Sequence, residues 1–140
     1  MRVWLACVVL TYTWTAAAFA GCGNETFNVF LRRFVLDTAF QRERIRYPLT
    51  VGLGADPPAG LREPVRERWS REGIASRDRP IMLTPEERRE HRIKETLEAL
   101  SPTRVRVNHF LPEADSYLVE YVFGRTAGCW YLVRLEDVSL

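Results

Sequence analysis

Few side chains in this sequence combine a reactive type with a placement that could support chemistry. His109, in the run RVRVNHF, is the strongest general-base candidate, because an imidazole near the end of a strand can take up a proton at neutral pH. A hydrogen-bonded or solvated structural histidine is the plainer reading. Glu120 lies between Val119 and Tyr121 in mid-strand, so it either faces solvent or is a buried carboxylate. Tyr121 and Trp130 join it as pocket candidates on the same pair of strands. Gln41 and Arg44, in FQRERIRYPL, complete the set. Buried polar groups of that kind must find partners, so fixing a helix to a sheet competes with a pocket role for both. His91 lies in a charged run and is expected in solvent. There is no Ser/His/Asp arrangement, no phosphate loop and no Cys/His set with metal-ligand spacing, so no catalytic residue, metal or cofactor is assigned.

The composition excludes other chemistries. The 140 residues carry 20 basic and 18 acidic side chains, a formal net charge of +2, which is too even for nucleic-acid binding. Lys94 is the only lysine. The arginine excess reads first as coding bias and second as an anion-binding surface. Hydrophobic residues at 46% and charged residues at 27% suit one globular domain.

The three cysteines turn on the N-terminus. Met1-Arg2 followed by the nearly uncharged Val3–Ala20 has the form of a secretory leader. Ala18-Phe19-Ala20 fits signal cleavage before Gly21. Phe19-Ala20-Gly21-Cys22 resembles a bacterial lipobox, and its small-small-Cys ending favours lipidation of Cys22. Anchoring would then rest on acyl chains in a membrane face of the envelope. On that reading residues 1–21 are the leader, 22–26 a tether and 27–140 a single α+β domain. Acylation leaves Cys22 no disulfide, whereas cleavage after Ala20 lets it pair with Cys129 in a periplasmic or secreted protein. Cys129 is otherwise expected to be a small buried hydrophobe.

These residues need elements to hold them. Phe27, Phe30, Leu31 and Phe34 fall at i, i+3, i+4 and i+7, which predicts a helix over 25–36. Asp37 or Thr38 caps a second short helix that ends near Arg46, ahead of Tyr47-Pro48. Leu49–Leu53 reads as a strand and Gly54–Gly60 as a break. Leu61, Val65 and Trp69 are spaced for a helix over 63–71, with Trp69 a core or lid residue. Ile81–Leu83 reads as a short strand. Thr84-Pro85-Glu86-Glu87 is a strong helix start, and the spacing of Ile93, Leu97 and Leu100 carries that helix to Leu100. The final forty residues alternate as three antiparallel strands dense in aromatics, so helices covering a twisted sheet are expected.

The residues Asp37, Phe40, Gln41, Arg44, Ile45, Tyr47, Pro48 and Leu49, with the closing run YVFGRTAGCWYLVRLEDVS, resemble a family of bacterial envelope lipoproteins best known from Bacteroides-type bacteria. That resemblance implies the cone-shaped α+β fold of nuclear transport factor 2, its helices packed on a curved antiparallel sheet. It implies a location and no specific activity. Three functions are compatible with it. A non-catalytic protein would bind a small ligand or a protein partner from a lipid anchor. An isomerase- or dehydratase-like enzyme would use the cone as its active site. An interaction or immunity-type module would use an exposed surface. The cone fold commonly pairs through its sheet, so a homodimer is among the expected partners.

Overall fold

The computed structural model describes residues 21–54, 65–113 and 116–139. The leader and most of the 54–60 break lie outside them. Helix α1 (Phe27–Leu36) and helix α2 (Thr38–Glu43) come first, then strand β1 (Ile45–Leu53) and strand β2 (Val65–Trp69). Helix α3 (Arg71–Ala75), helix α4 (Pro85–Glu90) and strands β3 (Lys94–Ser101), β4 (Arg104–Phe110), β5 (Leu118–Thr126) and β6 (Cys129–Asp137) follow among the described residues. The six strands form one curved sheet in the order β2-β1-β6-β5-β4-β3. All neighbours are antiparallel except β1 and β6, so the sheet is mixed.

The apolar stripe of α1 does what its spacing requires. Phe30 and Phe34 are fully buried, with Leu31 and Val35 beside them. Phe123 of β5 meets the edges of Phe27, Phe30 and Phe34 at ring-centroid distances of 5.4, 5.6 and 5.3 Å. Asp37 ends α1 and caps α2, its Oδ1 accepting from the Phe40 N–H at 3.0 Å. The chain then enters β1 at Ile45, earlier than expected, and the Tyr47–Pro48 peptide is cis inside that strand.

Three expectations fail. The stretch read as a helix over 63–71 contains strand β2, because Val65–Trp69 pairs in register with Leu49–Leu53. Its i, i+4 apolar spacing also fits a strand in which Val65, Glu67 and Trp69 share a face. Ile81–Leu83 forms no strand; Met82 plugs the core and Ile81 packs against it. The helix starting at Thr84 has its full capping box but stops at Glu90. Lys94–Ser101, rich in helix formers, is an edge strand paired with Arg104–Phe110, and ladder pairing there overrides local propensity.

The corner around Cys22 also differs from expectation. Cys22 and Cys129 are joined as a disulfide, their Cα atoms 5.1 Å apart. A sulfur in a disulfide cannot also carry a thioether-linked lipid, so the structure shows Cys22 in the paired one of its two expected forms. Cys129 is half-buried and covalently bonded rather than a buried free thiol. Within the 22–26 segment, Glu25 lies 3.7 Å from Arg44.

Candidate functional site

Alternation along β3–β6 decides what the inner face of the sheet presents. One cross-strand row runs Glu95, His109, Val119, Asp137, and the next runs Leu97, Val107, Tyr121, Leu135. Leucine and valine fill most of the second row, which leaves Tyr121 as its polar member. The strap of residues 76–83 crosses above these rows. Between strap and sheet lies a cleft of about 570 Å³. Tyr121 and Tyr117 line its sheet side with Asp137, and Trp69, Arg77 and Arg79 line the other walls.

The cleft offers donors and a flat wall. Burial raises the Tyr121 phenol far above its ordinary value, with Tyr117 and Asp137 adding to the effect. Burial and Asp137 raise Tyr117 as well. Both phenols therefore stay protonated, and among the described residues neither hydroxyl is held by a hydrogen bond. The Arg77 guanidinium stacks 3.5 Å from the Trp69 ring centroid. The Trp69 indole N–H donates to Glu67 Oε2 at 2.6 Å, which fixes the ring.

Gln41 holds the strap in place. Its Nε2 donates to the Phe34 carbonyl at 3.1 Å, and its Oε1 accepts from the Ile81 N–H at 3.2 Å. Gln41 is buried, so neither partner has water as a substitute. Gln41→Leu keeps the volume and leaves a carbonyl and an N–H unpaired. We expect it to cost about 2–3 kcal/mol, read from denaturant midpoints. An unchanged midpoint would mean the strap is held by Met82 and Ile81 alone.

His109 is fully buried behind this wall and does not line the cleft. Its Nε2 lies 2.9 Å from Glu95 Oε2, and Arg88 binds both Glu95 oxygens, at 2.9 and 3.2 Å. The His109 ring meets Tyr121 edge-on at 5.1 Å. Burial works to raise the Glu95 carboxyl, but the His109 hydrogen bond and the Arg88 charge outweigh it and hold the carboxyl below its ordinary 4.5. Glu95 is therefore ionised at neutral pH and accepts only, so His109 Nε2 carries a proton and donates to it. Among the described residues His109 Nδ1 has no partner. A depressed folded-state value stabilises the fold above the ordinary carboxylate range and loses that contribution as pH falls through the depressed value. Wild-type stability should thus decline in acid below about 4.5, and the decline should be shallower in Glu95→Gln. Denaturant midpoints taken at a series of pH values check this; parallel curves for the two proteins would rule it out.

The remaining sequence candidates are scattered. Arg44 ties the α2–β1 corner together, with Nη1 donating to the Trp130 carbonyl at 3.5 Å and its guanidinium 4.9 Å from the Phe40 ring centroid. Trp130 is buried against Phe27 at 5.0 Å. Glu120 is half-buried on the face opposite Tyr121, 3.8 Å from Arg106. Of the six pocket candidates, only Tyr121 lines the cleft. Tyr117, Arg77, Arg79 and Asp137 were missed. An aromatic on the same face two residues before Val119 was the available signal for Tyr117; the strap arginines had none. Among the described residues no group of His, Cys, Asp and Glu could hold a metal ion, and no helix is long and apolar enough to cross a membrane.

No family model and no curated protein matches the chain. Among solved structures, it is similar to the crystal structure of an NTF2-like protein from Bacteroides fragilis NCTC 9343, at 16% sequence identity and a TM-score of 0.58. The likeness covers 84% of this chain and 49% of that one, so this chain spans about half its length. At that identity the likeness shows the fold alone: helices on a curved mixed sheet, as in nuclear-transport-factor-2-like proteins.

Proposed function

We propose that this chain is an exported, non-catalytic binding protein. Its cleft between the inner sheet face and the 76–83 strap would hold a small ligand with a flat apolar body and a hydrogen-bond acceptor. The observation that carries the reading is the pair of protonated phenols, Tyr117 and Tyr121, without a hydrogen-bond partner among the described residues, beside Trp69 in a cleft of about 570 Å³. That volume lies in the roughly 300–1,000 Å³ range of small-molecule sites. A protonated phenol donates to an acceptor, and the Trp69 ring, stacked with Arg77, gives the cleft a flat wall. Binding is favoured over catalysis because the one buried imidazole, His109, is committed to Glu95 and does not line the cleft. Export is supported by the apolar run Val3–Ala20 together with the Cys22–Cys129 disulfide, which belongs in an oxidising compartment. Cleavage after Ala20 leaves Cys22 available to form it.

Calorimetric titration of the leader-free, oxidised protein with naphthoate and the uncharged naphthamide tests the reading. Both should bind, and Tyr121→Phe should weaken them roughly tenfold, the worth of one buried hydrogen bond. Trp69→Ala should weaken them at least as much. Binding that ignores both substitutions, or no binding of either compound, would sink the proposal.

A further inference from the structure

The far end of α4 opens onto a second concavity of about 470 Å³, away from the cleft. Ile93, Leu111 and Pro112 contribute apolar surface to it, and Arg89, Arg92 and Lys94 contribute three cations. Arg88 also borders it but is engaged by Glu95. Among the described residues Glu113 is the one acidic residue in the lining, and it forms no ion pair with these cations. The placement of Arg92 adds a second, independent observation. The helix ends with the Ile93 N–H donating to the Arg88 carbonyl at 2.8 Å and the Arg92 N–H to the Arg89 carbonyl at 3.2 Å. This pair of bonds puts residue 92 in the left-handed region, at φ 59, where glycine is the ordinary occupant. The helix end alone would be better served by glycine, yet the position carries a guanidinium that borders the cavity. We propose that this cavity binds a phosphomonoester with an apolar body, the phosphate held by Arg89, Arg92 and Lys94 and the body by Ile93, Leu111 and Pro112. Guanidinium groups suit phosphate because they donate in pairs, and a doubly charged ester gains more from three cations than a carboxylate does.

The test titrates the leader-free, oxidised protein with phenyl phosphate, using benzoate as the singly charged control. A second arm sediments the protein with phosphatidylcholine vesicles with and without phosphatidic acid. Phenyl phosphate should bind at least roughly tenfold tighter than benzoate. Arg92→Gly should weaken it by a similar factor while raising the thermal midpoint by a few degrees, a combination that general damage to the fold would not give. The Arg89→Gln/Lys94→Gln double variant should weaken binding with the midpoint unchanged. Binding to phosphatidic acid vesicles without binding of phenyl phosphate would identify a lipid headgroup as the source of the phosphate. Failure of both probes, or phosphate binding that survives both variants, would overturn the proposal.

Discussion

Phe123→Ala should remove about 4 kcal/mol of stability, close to half of what a domain of this size commonly has. The ring is fully buried and is the point where α1 meets the sheet, touching Phe27, Phe30 and Phe34. Deleting it forfeits its transfer energy, opens a cavity against close-packed neighbours and removes three edge contacts. The facing phenylalanines come from one rigid helix, so collapse around the gap is restricted. Phe123→Leu, which keeps most of the volume, should cost about half as much or less. Urea denaturation of both variants measures this. A loss below about 1 kcal/mol for Phe123→Ala would mean that α1 is held by its other contacts.

Breaking the Cys22–Cys129 disulfide should have an effect of similar size. It closes a loop with a sequence separation of 107 residues, which takes in almost the whole domain. Chain entropy alone gives about 4.7 kcal/mol for a loop of about 100 residues, and measured values more often fall near 2–4. Cys129 stands just after the two-residue turn Ala127–Gly128, both at positive φ, so the bond fastens the segment before α1 to the β5–β6 hairpin. Reduction, or the Cys22→Ser/Cys129→Ser double variant, should lower the thermal midpoint by roughly 10 °C. A midpoint unaffected by reductant would remove the disulfide from the account. So would a mature chain whose mass shows an acylated Cys22.

What could be read in the sequence was local. The stripe of Phe27, Phe30, Leu31 and Phe34 specifies α1, and Thr84 with Glu87 specifies the start of α4, because each signal lies within one or two turns. The last three strands alternate clearly enough to be read, and the cone expected from the family resemblance is the fold found. Strand β3 was illegible because Glu95, Leu97, Glu98 and Ala99 favour a helix, and the ladder that makes them a strand comes from residues 104–110. The cleft failed for the same reason. Its strap is an irregular segment whose position depends on Ile81 bonding to Gln41, forty residues earlier. His109 was singled out as a general base, with a hydrogen-bonded structural histidine as the plainer reading, and the Glu95 and Arg88 that hold it lay in the span read as one helix to Leu100.

Magnetic resonance of the oxidised protein, labelled in its tyrosine and tryptophan side chains, tests whether the cleft at Tyr121 holds a ligand. Two tryptophans of the domain make the spectrum decisive, because Trp69 lines the cleft and Trp130 is buried away from it. On titration with naphthoate, saturable shifts are expected at Tyr117, Tyr121 and the Trp69 indole N–H while the Trp130 indole N–H stays in place. Shifts centred on Trp130, or none at Tyr117 and Tyr121 at saturating naphthoate, would contradict it.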